Sequence, residues 1–203
     1  MIKIRINKAT YLIPAMAREA TLGFYERVHL MPQGATPEQQ MAVVMGCSEG
    51  EVTGADGALS EALYFAYTNT ARWLPEWARS LESLPVQKTF KVLGVDYPAP
   101  KNWMLHQFRS HVQITQWLTE ANRPTLVSDV ISLYLAPVVF GKEWAEEQRT
   151  DLRTELLLQK ATDFAPLFFC ALRNLKSFKT HGIKAFVFHL LRWILARRIR
   201  WGL

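Results

Sequence analysis

The side chains that could carry out chemistry are scattered along this chain of 203 residues. The two histidines nearest to each other in sequence, His106 and His111, are five positions apart. On a helix this spacing puts them on different faces, so they make no i, i+4 metal clamp. Neither Cys47 nor Cys170 has another cysteine or a histidine two to four residues away, as a zinc knuckle requires. The sequence therefore predicts no metal site and no cofactor.

The glycines and the carboxylates form no catalytic pattern either. The four glycines between positions 46 and 57 are loosely spaced and are not followed by Lys-Ser or Lys-Thr, which argues against a phosphate-binding loop. Acidic residues cluster between positions 146 and 155, but Lys142, Arg149 and Arg153 accompany them. This mixture is typical of a solvated helix with i, i+4 ion pairs. We therefore predict that the chain has no serine nucleophile elbow, which would need a glycine two residues away on each side, and that the protein is not an enzyme.

The composition is that of a globular protein rich in aromatic residues. Hydrophobic residues make up 49% of the chain and charged residues 21%, and there are seven Trp and eleven Phe. Large rings dominate both cores and interfaces, so the surplus fits either a thick aromatic core or a surface that another subunit covers. Two distant cysteines, an N-terminus without an apolar signal region and the absence of a long apolar stretch favour a soluble protein in the cytoplasm.

The positive charge is concentrated towards the C-terminus. The chain has a net charge of +6, yet residues 164–203 carry eight basic and no acidic side chains, whereas residues 1–163 have a net charge of −2. A split of this kind suggests an interaction tail. We therefore predict a mainly helical domain over 1–163, with a sub-boundary near 85–100, and a basic helical appendage over 164–203.

The hydrophobic pattern predicts a mainly α fold with a minor β element near the N-terminus and around residues 89–93. Alternation of apolar and polar residues indicates strands, and helical periodicity with N-caps such as Thr21 and Thr36 indicates helices. The predicted extended segments are 2–6, 11–13 and 89–93. The predicted helices are 22–29, 37–45, 58–68, 73–84, 103–121, 126–135, 142–160, 164–179 and 183–201, with a loop over 95–102. Ser48 with Glu51 resembles a further cap, but the glycines at positions 50, 54 and 57 indicate a loop or a frayed turn over 48–57.

Two of these helices are predicted to differ in burial. The helix over 58–68 is apolar on most sides, so we expect it to be buried. The helix over 142–160 is expected to be exposed, with a solvated face formed by Glu147, Arg149, Asp151 and Arg153.

The helix predicted over 183–201 is apolar on one broad side and basic on or near the opposite arc. The predicted partner-binding residues on the broad side are Phe186, Leu190, Trp193 and Trp201. The basic residues are Lys184, Arg192, Arg197, Arg198 and Arg200. A helix with so broad an apolar side is expected to pack on its own domain or on a subunit, to lie in a membrane interface, or to direct its arginines to nucleic-acid phosphates. The sequence leaves these alternatives open.

A series of segments in the first seventy residues carries a resemblance to a known family. They are the opening strand 2–6, the extended 11–14, the helix start 21–25, the apolar helix 39–44, the step after it and the apolar helix 59–67. The step consists of Gly46, Ser48 and the acidic Glu49. In these segments, which span about a third of the chain, the sequence resembles the bacteriophage tail assembly chaperones. These are small helical proteins that accompany the tape-measure protein during tail building.

The resemblance implies a function in binding hydrophobic protein segments and brings no catalytic residues with it. On this basis we expect a phage tail-assembly factor or a virion-associated protein in the host cytoplasm. Its partner would be a phage structural or tape-measure-type protein, and it could also form a homo-oligomer. The alternative is a peripheral membrane-binding or nucleic-acid-binding module that acts through the basic C-terminal helix.

Overall fold

The computed structural model describes residues 1–29, 31, 34–99, 113–114, 116–117, 126–141 and 143–177. Within these residues the chain is mainly helical and has two antiparallel β-hairpins, one at the N-terminus and one over residues 89–98. The predicted fold class is confirmed. The helix predicted over 183–201 lies outside the described residues.

The N-terminal hairpin follows from the alternation of apolar and polar residues. Strand β1 (Ile2–Ile6) pairs antiparallel with β2 (Ala9–Ile13), which confirms both extended segments predicted here. Ile4 and Ile6 are buried, while the basic residues that alternate with them are exposed. At the turn, Asn7 has a φ of 52°, a left-handed conformation that asparagine tolerates better than most residues.

The first two helices begin at the N-caps that the sequence predicts. Helix α1 (Leu22–His29) begins after Thr21, whose hydroxyl accepts a hydrogen bond of 3.2 Å from the N–H three residues later. Helix α2 (Pro37–Met45) begins with a complete capping box at Thr36 and ends at Gly46, whose φ of 74° is the left-handed conformation of a glycine cap.

The segment 48–57, predicted as a loop or a frayed turn, forms the short helix α3 (Glu49–Thr53) in its first half, and the cap suggested by Ser48 and Glu51 is present. Ser48 caps this helix by accepting a hydrogen bond from the N–H of Glu51, and the Glu51 carboxylate accepts one from the N–H of Ser48 at 2.9 Å. This reciprocal capping stabilises one turn of helix despite the low helix propensity of glycine.

Helix α4 (Gly57–Leu81) is continuous, so the break predicted between the helices 58–68 and 73–84 is wrong. The polar residues that suggested a break are accommodated in the helix: the Thr70 hydroxyl donates to the Ala66 carbonyl at 2.9 Å, and the Asn69 amide donates to the Ala15 carbonyl at 2.8 Å. The buried side chains keep helical spacing through the whole length. They are Leu63, Ala66, Thr70, Trp77 and Leu81.

The second hairpin confirms one strand prediction and corrects a loop prediction. Strand β3 (Thr89–Val92) is present as predicted, but the first half of the loop predicted over 95–102 is strand β4 (Val95–Pro98). The strands are joined by Leu93 and Gly94, both with positive φ (51° and 78°), as in a type I′ turn. Local alternation is too weak in this short, proline-ended strand to indicate it without its partner.

Helix α5 (Leu126–Val139) is longer than predicted. Pro137 suggested that the helix ends before it, but the helix continues past this residue. The ten residues from 127 to 136 are all buried, so the surrounding core holds the helix together. A proline in the last turn removes a single backbone donor, and the next N–H bond, from Phe140 to the Ala136 carbonyl, is made at 2.8 Å.

The helices predicted over 142–160 and 164–179 are present as α6 (Glu146–Leu158) and α7 (Ala161–Ser177), each with its start displaced by a few residues. Of the helix predicted over 103–121, residues 113–114 and 116–117 are described, and they are helical.

One apolar core collects side chains from both hairpins and from the helices α1, α2, α4, α5, α6 and α7. The predicted boundary between residues 163 and 164 falls inside α7. Phe164, Leu167 and Phe168, which lie beyond that boundary, are buried in this same core.

The start of α1 is joined to the junction between α6 and α7. The N–H of Leu22 donates to the Gln159 carbonyl at 2.8 Å, and the N–H of Ala161 donates to the Ala20 carbonyl at 3.0 Å. A Cβ atom on Gly23 would stand 3.0 Å from the Leu157 carbonyl oxygen, so any other residue here would force the two backbones apart by a few tenths of an ångström.

Candidate functional site

The tail residues predicted to bind a partner all lie outside the described residues. The apolar set is Phe186, Leu190, Trp193 and Trp201. The basic set is Lys184, Arg192, Arg197, Arg198 and Arg200. The structure therefore neither brings these residues together nor separates them, and they remain a sequence-based prediction.

The outer side of α4 exposes two adjacent aromatic side chains. Tyr64 is 65% exposed and Phe65 is 66% exposed, whereas Leu63 and Ala66 on either side of them are buried. The prediction that the segment 58–68 is buried is thus wrong for one face, because the helix lies over the core instead of inside it. Large exposed aromatic residues are enriched in protein interfaces, so this face is a candidate binding surface.

Few charges accompany the two aromatic residues on this helix. Between positions 57 and 76 the charged residues are Glu61, Arg72 and Glu76, and all three are exposed. Interfaces are depleted of charge at their centres, so the sparse charge around Tyr64 and Phe65 fits a surface that becomes covered.

A buried ionic cluster connects α5 and α6. Arg149 is 6% exposed, and its Nη1 atom donates to the Asp129 carboxylate at 3.1 Å and to the Ser132 hydroxyl at 3.1 Å. Arg153 approaches the same Asp129 carboxylate at 3.6 Å, and Glu146 accepts from Arg149 Nε at 2.8 Å. Asp129 itself is fully buried.

The predicted solvated face of the helix over 142–160 is therefore wrong for its two arginines. Glu147 and Asp151 are exposed, but Arg149 is buried and Arg153 is half-buried. The guanidinium of Arg149 also lies over the Trp117 ring, with its central carbon 5.5 Å from the ring centroid. The sequence signal that was missed is Asp129, a single acid in the apolar α5, which needs a buried cation as its partner.

A buried carboxylate on α1 caps the start of α5. Glu26 is 5% exposed, and its carboxylate accepts hydrogen bonds from the Ser128 N–H at 2.5 Å and from the Ser128 hydroxyl at 3.1 Å. Because the first N–H groups of a helix have no partner within it, this side chain supplies one from another helix. Burial raises the pKa of Glu26, and the hydrogen bonds from Ser128 with the charge of Arg153 oppose this shift without cancelling it.

The raised pKa of Glu26 gives a prediction about the pH dependence of stability. Folding favours the protonated form of this group. Its stabilising contribution is therefore complete below the unfolded pKa of about 4.3 and is lost as the pH rises through the higher folded pKa. We expect the Glu26→Gln variant to lack this loss. The free energy of unfolding of the variant minus that of the natural protein should therefore increase as the pH rises from the unfolded to the folded pKa of Glu26. The increase should be about 1.4 kcal/mol for each unit between these two pKa values.

Urea unfolding at a series of pH values measures this difference. The exposed Glu147 on α6 provides a matched control, since Glu147→Gln makes the same chemical change without removing a buried carboxylate. A difference for Glu26→Gln that does not change with pH would contradict the prediction.

Ser48 stands between Gly46 and Gly50 in the G-x-S-x-G spacing of a serine nucleophile elbow, so the prediction that the chain has no such spacing is wrong. Such an elbow joins a strand to a helix, but here the residue follows α2. The Ser48 hydroxyl donates to the Glu51 carboxylate at 2.8 Å, and among the described residues no histidine is hydrogen-bonded to it. Its part is to cap α3.

Within the described ranges, no group of three or more His, Cys, Asp or Glu side chains is arranged to hold a metal ion. None of the helices in the described part of the chain combines the length and the apolar character needed to cross a bilayer. Comparison with protein families, with curated proteins and with solved structures finds no match to this chain.

Proposed function

We propose that this protein is a non-enzymatic phage tail-assembly factor, chaperone-like or virion-associated, that binds hydrophobic helical segments of a partner protein. The observation that best supports this proposal is the pair of exposed aromatic side chains, Tyr64 and Phe65, on the outer side of α4. An apolar helix of a partner laid along α4 would cover both rings. The partner we propose is a tape-measure-type or other phage structural protein, met in the host cytoplasm.

Two features of the sequence agree with this proposal. The first seventy residues resemble the tail assembly chaperones, and Tyr64 and Phe65 belong to the last helix of that resemblance. The tail helix predicted over 183–201 would add a second broad apolar side, to which Phe186, Leu190 and Trp193 belong.

The proposal is tested by co-expression with a phage tape-measure-type protein. We expect the natural protein to keep that partner soluble and to purify with it in a fixed ratio. The double variant Tyr64→Ser, Phe65→Ser should reduce the soluble partner at least tenfold, because each exposed ring contributes about 1.4 kcal/mol or more to a hot spot. The matched control is Leu158→Ser, which removes an equally exposed apolar side chain, 72% exposed, from α6 instead of α4.

Two tail variants in the same assay separate the proposal from its alternative. Phe186, Leu190 and Trp193 replaced together by Ala should weaken partner binding more than Arg197, Arg198 and Arg200 replaced together by Glu. If the basic tail binds nucleic acid instead, the arginine variant should lower the log–log salt slope of binding by up to about 2.7. If it binds an anionic membrane, vesicle binding should fall by about two orders of magnitude. Loss of all partner association in the arginine variant alone would contradict the proposed function.

A further inference from the structure

We propose that in the free protein a second copy of this chain covers the outer side of α4, the two helices packing antiparallel about a two-fold axis that passes between positions 66 and 67. This pairing concerns the free protein, so it does not depend on the proposed function. Four observations support it: the spacing of the exposed residues, their order along the helix, the sparse charge and the positions of two unpaired charges.

Six residues on the outer side of α4 follow a coiled-coil spacing, and other exposed residues of the helix lie beside them. We call these six the outer stripe, and their positions alternate between steps of three and four, which keeps them on one side of a helix that contacts another helix. All are exposed except Thr68, which is half-buried. The outer stripe consists of Ala58, Glu61, Phe65, Thr68, Arg72 and Pro75. It lies within a segment of twenty residues, about 30 Å of helix.

The order of residues in the outer stripe is complementary to itself when one copy is reversed. About the proposed axis, Phe65 lies opposite Thr68 of the second copy, and the small Ala58 lies opposite Pro75. The Thr68 hydroxyl already donates to the Tyr64 carbonyl at 2.8 Å, so covering this residue leaves no hydroxyl without a partner. An isologous contact of this kind closes as a dimer and does not propagate.

The charges select the antiparallel arrangement. In this arrangement Glu61 of each copy lies opposite Arg72 of the other, which makes two symmetric ion pairs. A parallel arrangement would place Glu61 against Glu61 and Arg72 against Arg72, and like charges repel. Within one copy these two residues are eleven positions apart, about 16 Å along the axis, too far to pair with each other.

Neither charge is already used within the protein. Among the described residues, neither Glu61 nor Arg72 makes a hydrogen bond or an ion pair, unlike the buried arginine of α6. The third charge of this segment, Glu76, lies outside the stripe and would be opposite Gly57, next to Asp56 of the second copy. The proposed pairing therefore gives each of the two charges of the stripe an opposite charge as its partner.

A pairing of single helices makes a small interface, so we expect a weak dimer with a dissociation constant on the order of 10 μM. The dimer would cover Phe65 and border Tyr64. A partner that binds the same surface would therefore compete with the second copy. At high protein concentration, dimer formation would also keep the free protein from exposing these rings.

Charge reversal tests the register of the pairing. The variants Glu61→Arg and Arg72→Glu each turn two attractive pairs into two repulsive ones, so each should dimerise about tenfold more weakly in sedimentation velocity at tens of micromolar. An equimolar mixture of the two variants should form a heterodimer as readily as the natural protein forms its homodimer. The double variant Glu61→Arg, Arg72→Glu should also recover the homodimer, because it exchanges the charges within each pair.

Far-ultraviolet circular dichroism checks that each variant is folded, which we expect because both positions are exposed. The Phe65→Ser variant provides a second test that leaves the charges unchanged, and it should weaken the homodimer as well. The proposal is overturned by a natural protein that is monomeric at 100 μM, about tenfold above the expected dissociation constant. It is equally overturned by single variants that dimerise normally, or by a mixture that associates no better than its components. None of these measurements involves the phage partner, so their failure is distinguishable from failure of the proposed function.

Discussion

Replacing Asp129 by Ala should lower the free energy of unfolding by about 3–5 kcal/mol, which is a large part of the total stability of a typical domain. Asp129 is fully buried and accepts a hydrogen bond from Arg149, while Arg153 lies 3.6 Å from it. Among the described residues, removing the carboxylate leaves the buried guanidinium of Arg149 with the exposed Glu146 as its one acidic partner. The change is measured by urea unfolding followed by circular dichroism.

Two further variants make this result specific to the buried pair. Asp151→Ala removes an exposed carboxylate from α6 and should change the stability by no more than about 0.5 kcal/mol. The double variant Asp129→Leu, Arg149→Leu removes both charges together, so it should recover most of the loss. A loss below about 1 kcal/mol for Asp129→Ala would show that water or another group replaces the carboxylate.

Replacing Phe24 by Ala should cost about 3–5 kcal/mol, because it leaves a cavity where three aromatic rings meet. Phe24 is 2% exposed, and its ring centroid lies 6.0 Å from that of Trp73 and 6.1 Å from that of Trp77. These contacts join α1 to α4, and each aromatic pair adds about 0.5–1.5 kcal/mol beyond the burial of area. Tryptophan fluorescence during urea unfolding reports on both indoles.

The matched control is the exposed Phe65 on α4. The Phe65→Ala variant removes the same atoms from a side chain that is 66% exposed, so its stability should change by no more than about 0.5 kcal/mol. The measurements are made at a low micromolar protein concentration, below the dissociation constant expected for the proposed dimer. Equal losses for the two variants would mean that Phe65 is covered in the unfolding experiment or that the Phe24 site collapses after truncation.

The elements that the sequence predicts correctly are those defined by local signals. The alternation in β1 and the caps at Thr21 and Thr36 act within a few residues, and the structure has these elements where they were predicted. Strand β4 and the middle of α4 were missed because their stability comes from elsewhere. The partner β3 supplies the hydrogen bonds of β4, and the buried face of α4 continues helix formation past the polar residues 68–70.

The exposed surface and the buried ionic cluster were beyond prediction from one sequence for a related reason. Helical periodicity indicates that one side of α4 is buried, but Tyr64 and Phe65 have the same apolar character as a core residue, so only packing shows that they are exposed. Likewise, Arg149 belongs to a helix of mixed charge, and its burial depends on Asp129, twenty positions earlier on another helix.

The backbone contacts between α1 and the junction of α6 with α7 have a consequence for synthesis on the ribosome. The bridge between Thr21 and Lys160 joins positions 139 residues apart. At about 5–20 residues per second, the second position emerges about 7–28 s after the first. During that interval α1 can pack against α2 and α4 but lacks α6 and α7, so the part of its apolar side that they cover is accessible to general chaperones. A ribosome stalled before residue 160 should therefore hold a nascent chain that proteases cleave readily within α1.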